Sequence, residues 1–148
     1  MQYFSKKKLI LPEEFFVNST EIPPARLINN LLSSCGSDFF PNEKLNFAIK
    51  NSNFFFAICH KSKRQIFGFV RVTSDKGLNA NLWNLCAQPG KYQKLFYLVL
   101  LSSTLEKINR EMPGCSISVQ APQSSFDSLE ESGFVLDPNG IRVMGIKL

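Results

Sequence analysis

The sequence predicts an α/β (α+β) fold: a mixed sheet with helices on both faces, within one domain covering residues 1–148. Three observations carry this. Two apolar runs, "FFFAICH" (Phe54 to His60) and "QIFGFVRVTS" (Gln65 to Ser74), flank the polar turn Lys61-Ser62-Lys63-Arg64, the pattern of a buried hairpin. The segment Lys91 to Met112 reads as a long helix, and its first half is apolar almost all round, so it is covered on more than one side. Finally, the elements run in the order β-α-α-β-β-β-α-β-α-β-β, which suits neither a bundle nor a sandwich.

Phe15 to Thr20 is a first strand of poor period. Pro23-Pro24 opens a helix from Ala25 to Ser34, with Leu27, Ile28, Leu31 and Leu32 on one face. Pro41 precedes a second short helix, Glu43 to Lys50, and Asn51-Ser52-Asn53 ends it before the hairpin. In the hairpin's second strand, alternation puts Phe67, Phe69 and Arg71 on one face, with Ile66, Val70 and Val72 more mixed. The polar loop "DKGLNAN" leads to a strand from Leu82 to Ala87, and Pro89-Gly90 turns into the long helix. Its second half keeps Leu98, Leu101, Leu105, Ile108 and Met112 on one face, and Pro113-Gly114 stops it. A strand from Cys115 to Gln120 follows. A short helix from Ser124 to Ser132 ends at Gly133, and two last strands flank Asp137 to Gly140.

A chain of 148 residues buries about two-thirds of its unfolded surface. With 44% hydrophobic and 20% charged residues it reads as globular, and the 14 phenylalanines reflect coding bias more than an aromatic surface. Net charge is +5, which favours anionic ligands, but the lysines are scattered over loops and helix ends. Without a basic stripe interleaved with aromatics, nucleic acid is not expected as a partner. Cys35, Cys59, Cys86 and Cys115 lie far apart with no CxxC pair, as buried free thiols do in a reducing compartment. No apolar run reaches the ~18 residues of a membrane span, so no membrane partner is expected. Pro12 and two glutamates interrupt any secretory segment, and the expected location is the cytoplasm.

Few constellations carry chemistry. His60, the one histidine, stands at a strand end without an acidic or Cys companion and reads as a strand-end residue rather than a base or metal ligand. No nucleophile elbow, HExxH, Walker loop or GxGxxG occurs, and no metal site is expected. Asp127, Glu130 and Glu131 share one short helix and read as a solvated face. What remains is strand, turn and helix from Leu82 to Met112. A strand end that splays from its sheet leaves N–H and C=O groups for a ligand, and the helix start beside it suits a phosphate. That pairing is what a phosphopantetheine cofactor needs.

At these residues the chain resembles a known family. "GFVRVTSDKGLNANLWNLCAQPGKYQ" resembles the core of the GCN5-related N-acetyltransferases (GNAT), within them the small cyanobacterial and plastid acetyltransferases that include plant serotonin N-acetyltransferase. The similarity runs without gaps from Gly68 to about Ile146, through "RVTSD", "NA", "LWN", the Gly133-Phe134 pair and "LDPNGIRVM". It implies a splayed mixed sheet, acetyl-CoA as cofactor with pantetheine paired to Leu85, Cys86 and Ala87, and direct acetyl transfer to a primary amine. The family's diphosphate loop falls on Gln93 to Leu98. Gln93 is kept, Phe96 and Leu98 replace the glycines, and Lys91 and Lys94 offer substitute charge. The acidic residue that follows the strand tryptophan in relatives is Asn84 here, and their proton-donating tyrosine is Leu129. Asn84 cannot take up a proton at neutral pH, nor can Leu129 donate one.

Bulk at positions 96 and 98 is expected to keep a diphosphate from the helix amides unless those side chains turn into the core. Two readings follow from the resemblance: an active N-acetyltransferase for a small amine or a protein amino group, and a catalytically degenerate member kept as a binding or scaffolding module. Asp75 and Glu130 are candidate substitute bases without geometry.

Overall fold

The computed structural model describes residues 8–140 and 144–147. Five strands form one sheet in the order β1-β2-β3-β4-β5: β1 (Phe15–Asn18), β2 (Phe54–His60), β3 (Ile66–Ser74), β4 (Asn79–Ala87) and β5 (Ser116–Val119). The first three pairings are antiparallel and β4–β5 is parallel, so the sheet is mixed as expected. Helices α1 (Ala25–Ser34) and α2 (Asn42–Lys50) cover one face, α3 (Gln93–Glu111) the other, and α4 (Phe126–Glu131) packs beside α3.

Each face has its own core. Leu27, Ile28, Leu31 and Leu32 of α1 meet Phe55, Ala57, Phe69 and Cys86 on one side. Ile58, Val70, Val72, Leu82 and Leu85 meet Phe96, Tyr97, Leu100 and Leu101 of α3 on the other. Each fully buried Leu or Ile contributes about 1.5–3 kcal/mol relative to exposure, so both layers are needed. Asn29 is fully buried among the α1 leucines because it brackets the following loop: Nδ2 donates to the Phe40 carbonyl at 2.8 Å and Oδ1 accepts from the Phe40 N–H at 3.1 Å. On the α3 side the glycine at 68 allows the closest approach. A Cβ there would stand 3.0 Å from Leu100 Cδ1 and 3.1 Å from Ile58 Cδ1.

Two bulges reset which residues face which layer. Cys59 pairs Ile66 while Ile58 pairs Gly68, so Phe67 has no opposite number. It therefore joins the α3 core beside Phe15 and Phe96, whereas Phe69 faces α1, which corrects the expectation that Phe67 and Phe69 share a face. On β4, Phe69 pairs Cys86 but Arg71 pairs Trp83, so Asn84 and Leu85 oppose Val70 alone. Asn84 takes φ +55°, a left-handed conformation that asparagine tolerates better than most residues.

Other expectations need correcting. Asn79 to Asn81, read as loop, belong to β4. Asp75 Oδ1 accepts the N–H groups of Gly77, Leu78 and Asn79 at 2.8–3.0 Å, closing a turn tight enough to pair Ala80 with Ser74. The long helix begins at Gln93, because Lys91 and Tyr92 form a turn. The short helix is a 3-10 turn, Gln123–Ser125, followed by α4. Among the described residues no strand follows β5. Val135 and Leu136 are exposed and in no strand, and Pro138–Gly140 form a 3-10 turn. Part of the second expected strand, residues 141–143, lies outside the described residues.

Candidate functional site

β4 and β5 pair only from Asn79–Ser116 to Leu82–Val119, with one further bond from the Gln120 N–H to the Leu82 carbonyl at 3.4 Å. Beyond Leu82 the strands part, and among the described residues the outer edge of β4 from Trp83 to Ala87 has no partner strand. The cause is local: the Asn84–Leu85 bulge bends β4 while Pro122 and the 3-10 turn take the other chain away. The Gln88 N–H bonds the Phe67 carbonyl on β3. Backbone directions alternate along a strand, so Ala87 and Leu85 turn outward, into the opening. This is where Leu85, Cys86 and Ala87 were expected to meet pantetheine. Of the three, Cys86 directs its side chain to the α1 core and leaves the edge to its neighbours.

The opening has a polar rim. Gln93 Nε2 donates to the Ala87 carbonyl at 3.0 Å, and Cys35 Sγ, at the C-terminal end of α1, donates to the same oxygen at 3.1 Å. The neighbouring Cys86 thiol is the main cause that lowers the Cys35 thiol to about 7, against the opposing effect of burial. Cys86 itself is pushed well up, chiefly by burial. From the α3 side, the fully buried Tyr97 reaches the segment after β5, its hydroxyl 2.8 Å from Ser124 Oγ, and burial raises its phenol.

At the start of α3, the N–H of Gln93 bonds the Gly90 carbonyl at 3.2 Å and that of Phe96 bonds the Tyr92 carbonyl at 2.9 Å. The first-turn amides of Lys94 and Leu95 precede the helix ladder and suit an anion. Phe96 turns away from them. It is 2% exposed, with its ring 5.0 Å from Phe15 and 6.2 Å from Phe67. This settles an alternative the sequence leaves open: Phe96 is a core residue, not an obstruction at the helix mouth. Neither position 96 nor 98 offers a free amide, since both lie inside the helix ladder, and Leu98 is half-buried. Lys94 Nζ pairs with Glu131 at 3.0 Å on the surface, which raises its pKa, and Lys91 Nζ stands 5.1 Å over the Tyr92 ring.

The positions at which relatives carry an acid and a tyrosine are both committed elsewhere. Asn84 Oδ1 accepts from Arg71 Nε at 2.6 Å, and Leu129 is buried in the α4–α3 contact. Asp75 is a turn-builder: its amide hydrogen bonds, from Asn79 first, hold it down at about 2, too acidic for a base at neutral pH. Glu130 is exposed on α4. His60 Nδ1 accepts the N–H groups of Ser62 and Lys63 at 3.1 and 3.2 Å, so it caps the β2–β3 turn. Among the described residues no three His, Cys, Asp or Glu side chains come together as a metal site, and no helix is long and apolar enough to cross a membrane.

Arg71, Cys35 and Tyr97 are the residues at this end of the sheet that sequence reasoning passed over. Arg71 had a signal, as the one charged residue of β3. Cys35 and Tyr97 had none, because their neighbours come from distant elements.

The residues fit the acetyl-CoA that the resemblance implies: an unpaired strand edge for pantetheine amides, then first-turn amides for a diphosphate. No protein-family model matches the chain. An uncharacterized N-acetyltransferase, ycf52, of Porphyra purpurea is 28% identical over 139 residues, covering 93% of this chain and 79% of that protein. Among solved structures, a probable acetyltransferase of Staphylococcus aureus superposes with TM-score 0.78 at 18% identity, over 90% of this chain and all of that one. A GNAT family acetyltransferase of Streptococcus pneumoniae does so with TM-score 0.63 at 14% identity, over 90% of this chain and 97% of its own. With the bulged and parted β4 and the free first turn of α3, the chain is similar in sequence to these N-acetyltransferases and shares the fold of GNAT acetyltransferases.

Proposed function

We propose that this protein binds acetyl-CoA along the outer edge of Leu85–Ala87 and at the first turn of α3, and passes the acetyl group directly to a primary amine of a small molecule or protein. The observation that carries this is the inward turn of Phe96, which leaves the Lys94 and Leu95 amides open to an anion. Acetyl-CoA held there supplies the acetyl group as an activated thioester. The chain's own part is to orient it. The Leu85 backbone and the Ala87 N–H pair with the pantetheine arm, Gln93 fixes the Ala87 carbonyl, and Lys91 and Lys94 add charge near the diphosphate. Neither Asn84 nor Leu129 moves a proton, so the acceptor amine has to reach the site neutral or lose its proton to water. The site of action we propose is the cytoplasm.

The same two residues favour a second reading, a degenerate fold kept as a binding or scaffolding module. Calorimetry with acetyl-CoA, followed by an assay of thiol release with an amine panel, separates the two. Micromolar binding with amine-dependent release supports the transferase, and binding without release supports the module. No binding at millimolar acetyl-CoA rejects the proposed site.

A further inference from the structure

Arg71 lies on the α1 face of β3, directly across from Trp83 and level with the β4 bulge, where β4 has just left β5. Its side chain is half-buried, and all its partners are neutral. Nε donates to Asn84 Oδ1 at 2.6 Å, Nη1 reaches Ser52 Oγ at 3.4 Å, and the guanidinium carbon stands 5.8 Å over the Trp83 ring. The ion pairs among the described residues are Lys94–Glu131, Lys107–Glu111 and Arg110–Glu111, and Arg71 is in none of them. A guanidinium is always charged and carries five N–H donors. Here the donors on Nη2 and one on Nη1 have no acceptor among the described residues.

Withdrawing a charge from water without a counter-charge is costly, and burial pulls the Arg71 pKa down accordingly. The surroundings nevertheless hold the group in place. Trp83 is itself anchored, its Nε1 donating to Thr73 Oγ1 at 2.7 Å, and the left-handed Asn84 is turned so that its amide grips Nε. A fixed, half-buried cation with a free two-nitrogen fork is a receptor for a planar or tetrahedral anion.

We infer that Arg71, oriented by Asn84 and Trp83, binds an anionic group, carboxylate or phosphate, of the acceptor, so that the acceptor is an amine bearing a negative charge a few bonds from its nitrogen. Only the word acceptor rests on the acetyltransferase reading, because Asn84 adjoins Leu85, at the end of the proposed pantetheine edge. The anion site stands on its own geometry.

The test uses binding, without acetyl-CoA, so that a failure to transfer acetyl does not decide it. Trp83 is the single tryptophan, and its indole N–H gives one reporter signal in a 15N-labelled sample. The full chain is titrated with γ-aminobutyrate, 3-aminopropylphosphonate and n-butylamine. Saturable shifts of the indole signal by either anionic probe, at least tenfold tighter than by butylamine, are expected, and the tighter anion tells carboxylate from phosphate. Arg71→Gln should abolish them. Asn84→Asp places a carboxylate against the guanidinium and should weaken anion binding about tenfold while leaving the protein folded, so it serves if Arg71→Gln does not fold. Equal shifts by all three probes, no saturable shift by either anion, or undiminished anion binding in both variants would overturn the site.

Discussion

Cys35 and Cys86 are identical side chains in contact, yet their environments drive them apart. Cys86 is 1% exposed and keeps its proton, whereas Cys35 is at the rim, where the Cys86 thiol nearby lowers its pKa. The thiolate is the nucleophile, so Cys35 should be the first of the four cysteines alkylated by iodoacetamide. Its rate should rise with pH about a midpoint near 7 rather than the ordinary 9.0. The sign for stability follows from linkage: with the folded pKa lowered, Cys35 contributes stability that is fully present above about 9 and is lost as pH falls through about 7. Cys86→Ala removes that thiol and should move the alkylation midpoint up toward 9. Peptide mass mapping across a pH series reads both, and a wild-type midpoint already at 9 would dispose of the influence of Cys86 on Cys35.

At the scale of the element, α3 is core and, in the proposed function, also binding mouth, and its first turns divide the two roles. Phe96 and Tyr97 point inward and are buried, while Lys94 stays exposed. Phe96→Ala should therefore cost about 3–5 kcal/mol of unfolding free energy, as for other buried phenylalanines. Leu98→Ala, at a half-buried position outside both clusters of core residues, should cost well under half of that. Replacing both by glycine should not improve acetyl-CoA binding, because the residue removed at 96 fills the core rather than the mouth. Urea titration of the two alanine variants checks this. A Phe96→Ala variant as stable as wild type would mean that its ring does not pack between Phe15 and Phe67.

For the whole molecule, the +5 charge is spread rather than focused, so its effect on an anionic ligand is felt through a few side chains at the α3 mouth. Lys94 is shared with Glu131 in an exposed pair. Such pairs are weak and screened by salt, so under the proposed function a diphosphate should displace the carboxylate. Acetyl-CoA affinity should fall as salt rises, and less steeply in Lys94→Ala. Glu131→Gln frees the lysine and should raise affinity by about two- to fivefold at low salt. Calorimetric titrations of the three proteins over a salt series decide it, and identical salt slopes in all three would remove Lys94 from the site.

The local signals that determine secondary structure were legible in the chain. Proline pairs opened α1, the 3.6-residue pattern set its buried face, and the apolar run and Lys-Ser-Lys-Arg turn specified β2 and β3, so these elements fall within a residue of where pattern reading puts them. The strand–turn–helix unit on which the resemblance rests was legible too, because Pro89-Gly90 and the apolar start of α3 are contiguous. What only the tertiary structure decided is which way side chains turn once a strand bulges or a helix docks. Phe67 changes face because one extra residue enters β3, and no periodicity records that. Phe96 could obstruct the mouth or fill the core, and the space beside Phe15 and Phe67, brought there from two other strands, chose the core. Arg71 looked like an ordinary strand residue until Asn84 and Trp83 from β4 and Ser52 from the end of α2 closed around it. Local pattern sets the backbone's path, but the partners that give a side chain its charge, exposure and direction arrive from far along the chain.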